Sequence, residues 1–286
     1  GADARNPVAV KRIYEVKGRP SDHPLILHIS SINQLQKWAS EVPDYAISLA
    51  RAFWPGPLTL ILKRSELVQD FISGGQDTVG LRVPSDPVAL ALISEFEAIS
   101  DSAIAAPSAN RFGQVSPTSS KDVHDELGGY LSNSDLILDG GTSTIGIEST
   151  IVDCTVNPPV ILRQGAVTLE MVNSALKPIG VVAAEEFDGD SRAPGMKFSH
   201  YAPRAIVKLF ESEESLSTYA RRCEENAVTC VSITGNNDRE LYARELYSLI
   251  READALHPQE ILVLLPESLD IGVAIRDRLF KAAAPH

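Results

Sequence analysis

"FWPGPLTLILKRSELVQDFISGGQDTVGLRVPSDP", Phe53 to Pro87, carries two strand candidates in succession, "LTLILK" and "TVGLRV". Ahead of it "DYAISLARAF" has a helical pattern that "WPGP" closes, and behind it Asp86-Pro87 opens another helix running to about Phe96. Helices and strands interleave along this part of the chain, but the strands are irregularly spaced. An α/β domain built on a mixed sheet fits that spacing better than a regular doubly wound one.

Toward the N-terminus, Asn6-Pro7 reads as N-cap and first position of a helix that stops near Gly18. Arg19-Pro20 then forces an extended or turn conformation. "LILHI" is a short strand, after which Ser30 or Ser31 caps a helix through Trp38. Toward the C-terminus, "AIAA" runs into the loop "PSANRFGQVSPTS". Helix "SKDVHDELGGYL", strands "LILD", "STIVDC" and "VILRQ" and helix "TLEMVNSAL" follow. Residues 181–204 have no sustained periodicity and are rich in Gly, Pro, Ser and acids, as in an interdomain linker. Beyond them, strands "AIVKLF", "VTCVSI" and "EILVLL" alternate with three helical stretches, which implies a small parallel sheet covered by helices. The expected division is therefore 1–180, a linker at 181–204, and 205–286.

The chain has 286 residues, long enough for two domains with real cores, and its 44% hydrophobic and 22% charged fractions are those of a globular protein. No apolar stretch approaches the roughly 18 residues of a membrane span. The three cysteines, Cys154, Cys223 and Cys230, match no zinc or redox motif, so a reducing compartment and burial as small hydrophobes are expected, with the cytoplasm as the default location. The net charge of -12 divides evenly about Gly180, with 14 basic and 20 acidic residues before it and 12 and 18 after. Neither half is a basic nucleic-acid module.

No GxxxxGK[ST], GxGxxG, HExxH or GxSxG motif occurs. What stands out is a set of polar loops beside strands: Lys17, Arg19 and His23; Thr78 and Arg82; Ser108 and Asn110; Ser116; Ser149; and Arg163. Singly, each has a plain explanation. Lys17 and Arg19 suit a solvated helix C-terminus, His28 a hydrogen-bonded strand histidine, and the serines caps or turns. No third ligand joins His23 and His28, so a protein-held zinc ion is not expected. Arg82 and Arg163 are different, because a strand arginine flanked by Val, Leu and Ile needs an acidic side chain or a bound anion. Together these cations and hydroxyls are what holds a phosphate chain and a carboxylate, and they point to a small anionic substrate.

The blocks "GADA", "KRIYEVKGRP", "PLILHI", "FWPGPLTLIL", "VGLRVP", "APSAN", "SPT", "ESTIVD" and "ILRQGAV" occur in this order over residues 1 to about 180. In this the chain resembles the YrdC-like threonylcarbamoyl-AMP synthases. "APGMKFSHYAP" resembles the linker of their two-domain form. The resemblance implies a YrdC-like twisted mixed sheet with helices, followed by a smaller Rossmann-like parallel α/β domain. It also implies synthesis of threonylcarbamoyl-AMP and pyrophosphate from L-threonine, bicarbonate and ATP, with magnesium accompanying the ATP. The product would pass to the machinery that transfers threonylcarbamoyl to tRNA.

By matching motif, the resemblance assigns Lys17, Arg19, His23, Thr78, Ser108, Asn110, Ser116, Arg163 and Tyr201 to ATP, and His28, Arg82, Ala106 and Ser149 to threonine. His23 stands where the family pattern has asparagine, and a "PTET.YGLG" segment that the family carries before "ADA" is represented only by its last glycine. Met196, Phe198, His200 and Tyr201 are expected to form a lid over the nucleotide. The alternatives are an RNA-binding YrdC-like module, disfavoured by the acidic charge, and a hydrogenase-maturation carbamoyl-transfer domain, whose zinc-finger-like cysteines do not occur here.

Overall fold

The computed structural model describes residues 1–177, 179, 181–183 and 201–284. The expected lid residues Met196, Phe198 and His200 lie outside these. Packing divides the described chain into two units. The first holds residues 1–108, 130–134 and the stretch from 148 to 183; the second holds 109–129, 135–147 and the residues from 201 onward.

Nine strands make the first unit's sheet: β1 (Ala2–Asp3), β2 (Ile26–His28), β3 (Ala39–Glu41), β4 (Leu58–Arg64), β5 (Thr78–Arg82), β6 (Ile104–Ala105), β7 (Thr150–Asp153), β8 (Val160–Arg163) and β9 (Val182–Ala183). Their order is β1-β6-β2-β5-β4-β7-β8-β9, with β3 paired to β4. The sheet is mixed: β2 runs parallel to β5 and β4 parallel to β7, while β4 and β5 are antiparallel. Because side chains alternate across a strand, the two faces can be read from the register. Leu27, Leu60, Leu62, Val79, Leu81 and Val152 enter the main core with Val10, Tyr14 and Leu49 of the helices. Burial of each such large side chain stabilises the fold by roughly 1.5–3 kcal/mol. Ile61 and Ile151, on the opposite face, form a small separate cluster with Leu162.

The helix Pro7–Lys17 begins and ends as its sequence dictates. Asn6 accepts hydrogen bonds from the N–H groups of Val8 and Ala9, and Pro7 fills the first position, where no N–H is needed. Gly18 takes φ 61°, and the N–H groups of Gly18 and Arg19 close the helix on the carbonyls of Glu15 and Tyr14. The helix at Pro87–Ser100 likewise starts on the Asp86 cap, four residues longer than its expected end at Phe96.

In the second unit β10 (Ile206–Phe210), β11 (Cys230–Ile233) and β12 (Glu260–Leu264) form a parallel sheet in the order β10-β12-β11, with helices Glu213–Glu225, Arg239–Ala255 and Ile271–Ala283. Two stretches that sequence reading placed in the first domain pack here. Val115 and Ile147 join the second core, Arg251 pairs with Glu126 at 3.1 Å and also donates to the Val115 carbonyl, and Thr118 and Ser248 share a 2.9 Å hydroxyl contact. Gly146, at φ 81°, lies where a Cβ would come 2.3 Å from the Arg244 carbonyl oxygen, so only glycine lets the chain approach that helix.

"LILD" is not a strand: Leu136 and Leu138 are exposed and pair with no strand among the described residues. Cys154 and Cys223 are buried as expected, whereas Cys230 is only partly so. Among the described residues no helix is long and apolar enough to cross a membrane.

Candidate functional site

The inner face of the first sheet, opposite the main core, collects polar side chains in an orderly way. His28 lies opposite Arg82 in the β2–β5 register, and Gly80 opposite Ile26. Extending the Leu60–Leu81 pairing of β4 and β5 puts Thr59 opposite Arg82, and Thr59 in turn pairs with Ile151. Arg163 is the partner of Ile151 across a register shift that leaves Leu162 unpaired, an irregularity that re-aims the side chains at the strand end. At one end of the sheet this face therefore presents His28, Arg82, Thr59, Ser149 and Arg163. Gly80 makes room at the centre, since a Cβ there would touch Ile61, Ile26 and Thr59 at 3.2–3.4 Å.

Each member is held by local structure. The "WPGP" turn is closed by a bond from the Gly56 N–H to the Val83 carbonyl, and a Cβ at Gly56 would fall 2.3 Å from the Phe53 oxygen. That turn aims the Gly56 carbonyl at Arg82, which donates to it from Nε at 3.1 Å. Among the described residues Arg82 has no carboxylate partner. Burial and, second to it, the facing charge of Arg163 push its pKa down to about 10.

Arg163 donates from Nε (3.0 Å) and Nη2 (2.9 Å) to the Ser149 carbonyl and from Nη2 to Ser149 Oγ (3.1 Å). Ser149 Oγ lies 2.8 Å from Thr59 Oγ1. Gly165 lets the loop close here: a Cβ on it would stand 2.5 Å from the Thr150 nitrogen. His28 is neutral, its pKa pushed down to about 3 by burial first and by Arg82 second, and its Nδ1 has no hydrogen-bond partner among the described residues.

A second group lies toward the start of β2 and β5. Lys17 and Arg19 are 5% and 8% exposed, so they are not a solvated helix end. Lys17 Nζ donates to the Ser108 carbonyl at 2.6 Å and Arg19 Nη2 to the Pro24 carbonyl at 2.8 Å, while Arg19 Nε is buried without a hydrogen-bond partner among the described residues. Burial lowers the pKa of Arg19. Tyr14 Oη donates to the His23 carbonyl, which fixes the loop between them, and Thr78 is buried at the head of β5. The Ala106 N–H bonds to the Ile26 carbonyl, midway between the groups. Thr78 and Arg82 are four residues apart on one strand, about 13 Å at the usual strand rise. One small anion cannot reach both ends, whereas an extended ligand or two adjacent ones can.

The remaining expected residues belong to the second unit. Asn110 spends its amide on the carbonyls of Arg111 and Gln114, at 2.9 and 2.6 Å, which shapes its own loop. Ser116 is buried, with its carbonyl at the edge of bonding distance from Arg251 Nε, 3.5 Å. Tyr201 is buried at φ 68°, its ring stacked on Tyr247 at 5.4 Å and facing the Arg278 guanidinium at 5.8 Å.

Sequence reading missed Thr59, which is hidden in the apolar run "LTLIL", and the Gly56 carbonyl. It also grouped Arg163 apart from Ser149, with which the structure bonds it. A polar residue at an alternate position of an otherwise apolar strand was the signal for Thr59.

Residues 1–165 match the Sua5–YciO–YrdC family model, described as "Telomere recombination", and residues 167–284 match the model "Threonylcarbamoyl-AMP synthase, C-terminal domain". A threonylcarbamoyl-AMP synthase of Pyrococcus abyssi is 40% identical, the match covering 99% of this chain and 86% of that protein. One of Bacillus subtilis is 36% identical over the same shares. The crystal structure of P. abyssi Sua5 complexed with L-threonine superposes with a TM-score of 0.89 at 38% identity, covering 99% of this chain and 86% of that one.

Proposed function

The chain belongs to the Sua5–YciO–YrdC family of threonylcarbamoyl-AMP synthases, and from that premise we propose that it makes threonylcarbamoyl-AMP and pyrophosphate from L-threonine, bicarbonate and ATP. The observation that carries this reading is Arg82, a partly buried guanidinium that among the described residues has one carbonyl partner and no acid, with a second arginine facing it. Such a group is complete only with an anion, and its planar fork suits the bidentate grip of an amino-acid carboxylate.

In this reading threonine lies over His28, Arg82 and Ser149 with Ala106 at its edge. The residues assigned to ATP are Lys17, Arg19, His23, Thr78, Ser108, Asn110, Ser116, Arg163 and Tyr201. The threonine amine attacks carbon dioxide derived from bicarbonate and loses a proton to give a carbamate. A carbamate oxygen then attacks the α-phosphorus, and the bond to the bridging oxygen breaks to release pyrophosphate.

No side-chain nucleophile is needed, so positioning and charge stabilisation supply the catalysis. Arg82 and Arg163 lower the pKa of the nearby ammonium and so favour the free amine. His28, with its pKa near 3, is too weak a base to take that proton and serves as a neutral hydrogen-bonding group. Arg163, bonded to Ser149, stands at the junction where the carbamate meets the α-phosphate and would stabilise the charge developing there.

Magnesium would arrive on the triphosphate oxygens, because among the described residues no group of three His, Cys, Asp or Glu side chains could hold a metal ion. The nucleotide product would pass to a threonylcarbamoyl transferase acting on tRNA, and the reaction would take place in the cytoplasm. Incubation with labelled bicarbonate, threonine and magnesium-ATP tests the reaction. Label should enter an AMP-containing product only when threonine is present, and label that enters without threonine would refute it.

A further inference from the structure

Thr59 has no part in the reaction described so far. It is wholly buried, on the polar face of the sheet, and its hydroxyl has one partner among the described residues, Ser149 Oγ at 2.8 Å. A hydroxyl carries one proton and can accept two hydrogen bonds. Ser149 Oγ already accepts one from Arg163 Nη2. If Ser149 also gave its proton to Thr59, the Thr59 proton would be buried with no acceptor, which is the costly arrangement. In the other orientation Thr59 donates to Ser149, Ser149 accepts from both Thr59 and Arg163, and the one proton left unpaired is that of Ser149, on the side where the amino acid is placed and where a ligand oxygen can accept it.

We propose that Thr59 is a positioning residue that fixes the polarity of the Ser149 hydroxyl, so that Ser149 meets the bound amino acid as a hydrogen-bond donor to one of its oxygen atoms. This rests on the reading that threonine lies at Ser149. The two acceptor sites of Ser149 are filled by the protein before substrate arrives, so an incoming oxygen finds a donor already oriented and an incoming N–H finds no acceptor. The device selects for an acceptor at that point of the ligand and reduces the reorganisation needed on binding.

The test uses two substitutions. Thr59→Val removes the donor and keeps the shape; Thr59→Ser keeps the donor. The KM for threonine should rise about tenfold in Thr59→Val while the KM for ATP stays within about twofold, and Thr59→Ser should restore the parent value. An unchanged threonine KM in Thr59→Val, equal damage in Thr59→Ser, or a parallel rise in both KM values overturns the proposal. Should Thr59→Val fail to fold, Thr59→Cys, of similar size and with only a weak donor, carries the same comparison. Ser149→Ala separates the two levels. If it raises the threonine KM and Thr59→Val does not, the role of Thr59 alone is wrong. If Ser149→Ala itself has no effect, threonine does not lie at Ser149 and both readings fall. In the Ser149→Ala background, Thr59→Val should add nothing.

Discussion

Replacing Arg82 by methionine should make the ligand-free protein more stable while removing its ability to hold threonine. The guanidinium has a pKa lowered well below the ordinary arginine value, to about 10, by burial first and by Arg163 second. At ~1.4 kcal/mol per pH unit this corresponds to about 3 kcal/mol by which the fold disfavours the charged form. Because the folded pKa lies below the unfolded one and the group is a base, the whole cost is present below pH 10 and fades only as pH rises toward the unfolded value. It is therefore fully present at neutral pH.

Against it stands the 3.1 Å bond to the Gly56 carbonyl, worth about 1.5 kcal/mol as a bond to a charged donor. Methionine matches the length of the stem and fills irregular space well. Arg82→Met should then gain about 1–2 kcal/mol in urea unfolding at pH 7 without ligands. Adding threonine at a hundred times its Kd should stabilise the parent by about 2.7 kcal/mol and the variant not at all. A variant less stable than the parent by 1 kcal/mol or more would mean that Arg82 is a structural group and that its missing acid says nothing about a ligand.

His28→Gln should flatten the acid limb of the stability curve. The folded pKa near 3 lies below the ordinary 6.5, so stability contributed by the neutral ring is present above pH 6.5 and drains as pH falls toward 3. Between pH 7 and 5 the parent should lose about 2 kcal/mol more than the variant in paired urea titrations, and equal losses would contradict the assignment. Gly165→Ala should cost about 1–3 kcal/mol in the same assay and also weaken threonine binding, because the new Cβ would displace the backbone at Thr150 and with it Ser149. Arg19→Ala and Arg163→Ala should each weaken ATP binding by about tenfold or more in calorimetry with little change in fold, since each removes a charge-assisted contact. Unchanged ATP affinity in both would remove them from the nucleotide site.

Much of the architecture was legible because apolar runs and caps report it locally. "LTLILK" and "TVGLRV" became β4 and β5, Asn6-Pro7 and Gly18 marked the ends of their helix, and the three β-α units were evident from their alternation. What was hidden depends on partners distant in sequence. The two-residue strand β1 exists only through its pairing with β6, and nothing in residues 109–147 announces that Val115 and Ile147 pack in the second unit. "LILD" has strand composition but pairs with no strand among the described residues, and its leucines stay exposed.

The site was legible in the same uneven way. The residue types that hold anions could be picked out singly, and Arg82 and Arg163 drew attention as charges in apolar strands. Their arrangement on one face of the sheet follows from strand register, which a single sequence does not specify. The burial of Lys17 and Arg19, which turns an ordinary helix end into part of a site, is visible only once the loop through Ser108 is in place.

Threonine and phosphorus chemistry are coupled at this sheet face, and pyrophosphate release reads that coupling directly. Pyrophosphate release measured with magnesium-ATP and bicarbonate should be negligible without threonine and saturate as threonine is added. In Arg82→Lys, whose ammonium cannot form two parallel bonds to a carboxylate, saturation should require at least tenfold more threonine while the KM for ATP is unchanged. Pyrophosphate release that ignores threonine, or an Arg82→Lys variant that loses ATP affinity and keeps its response to threonine, would contradict it.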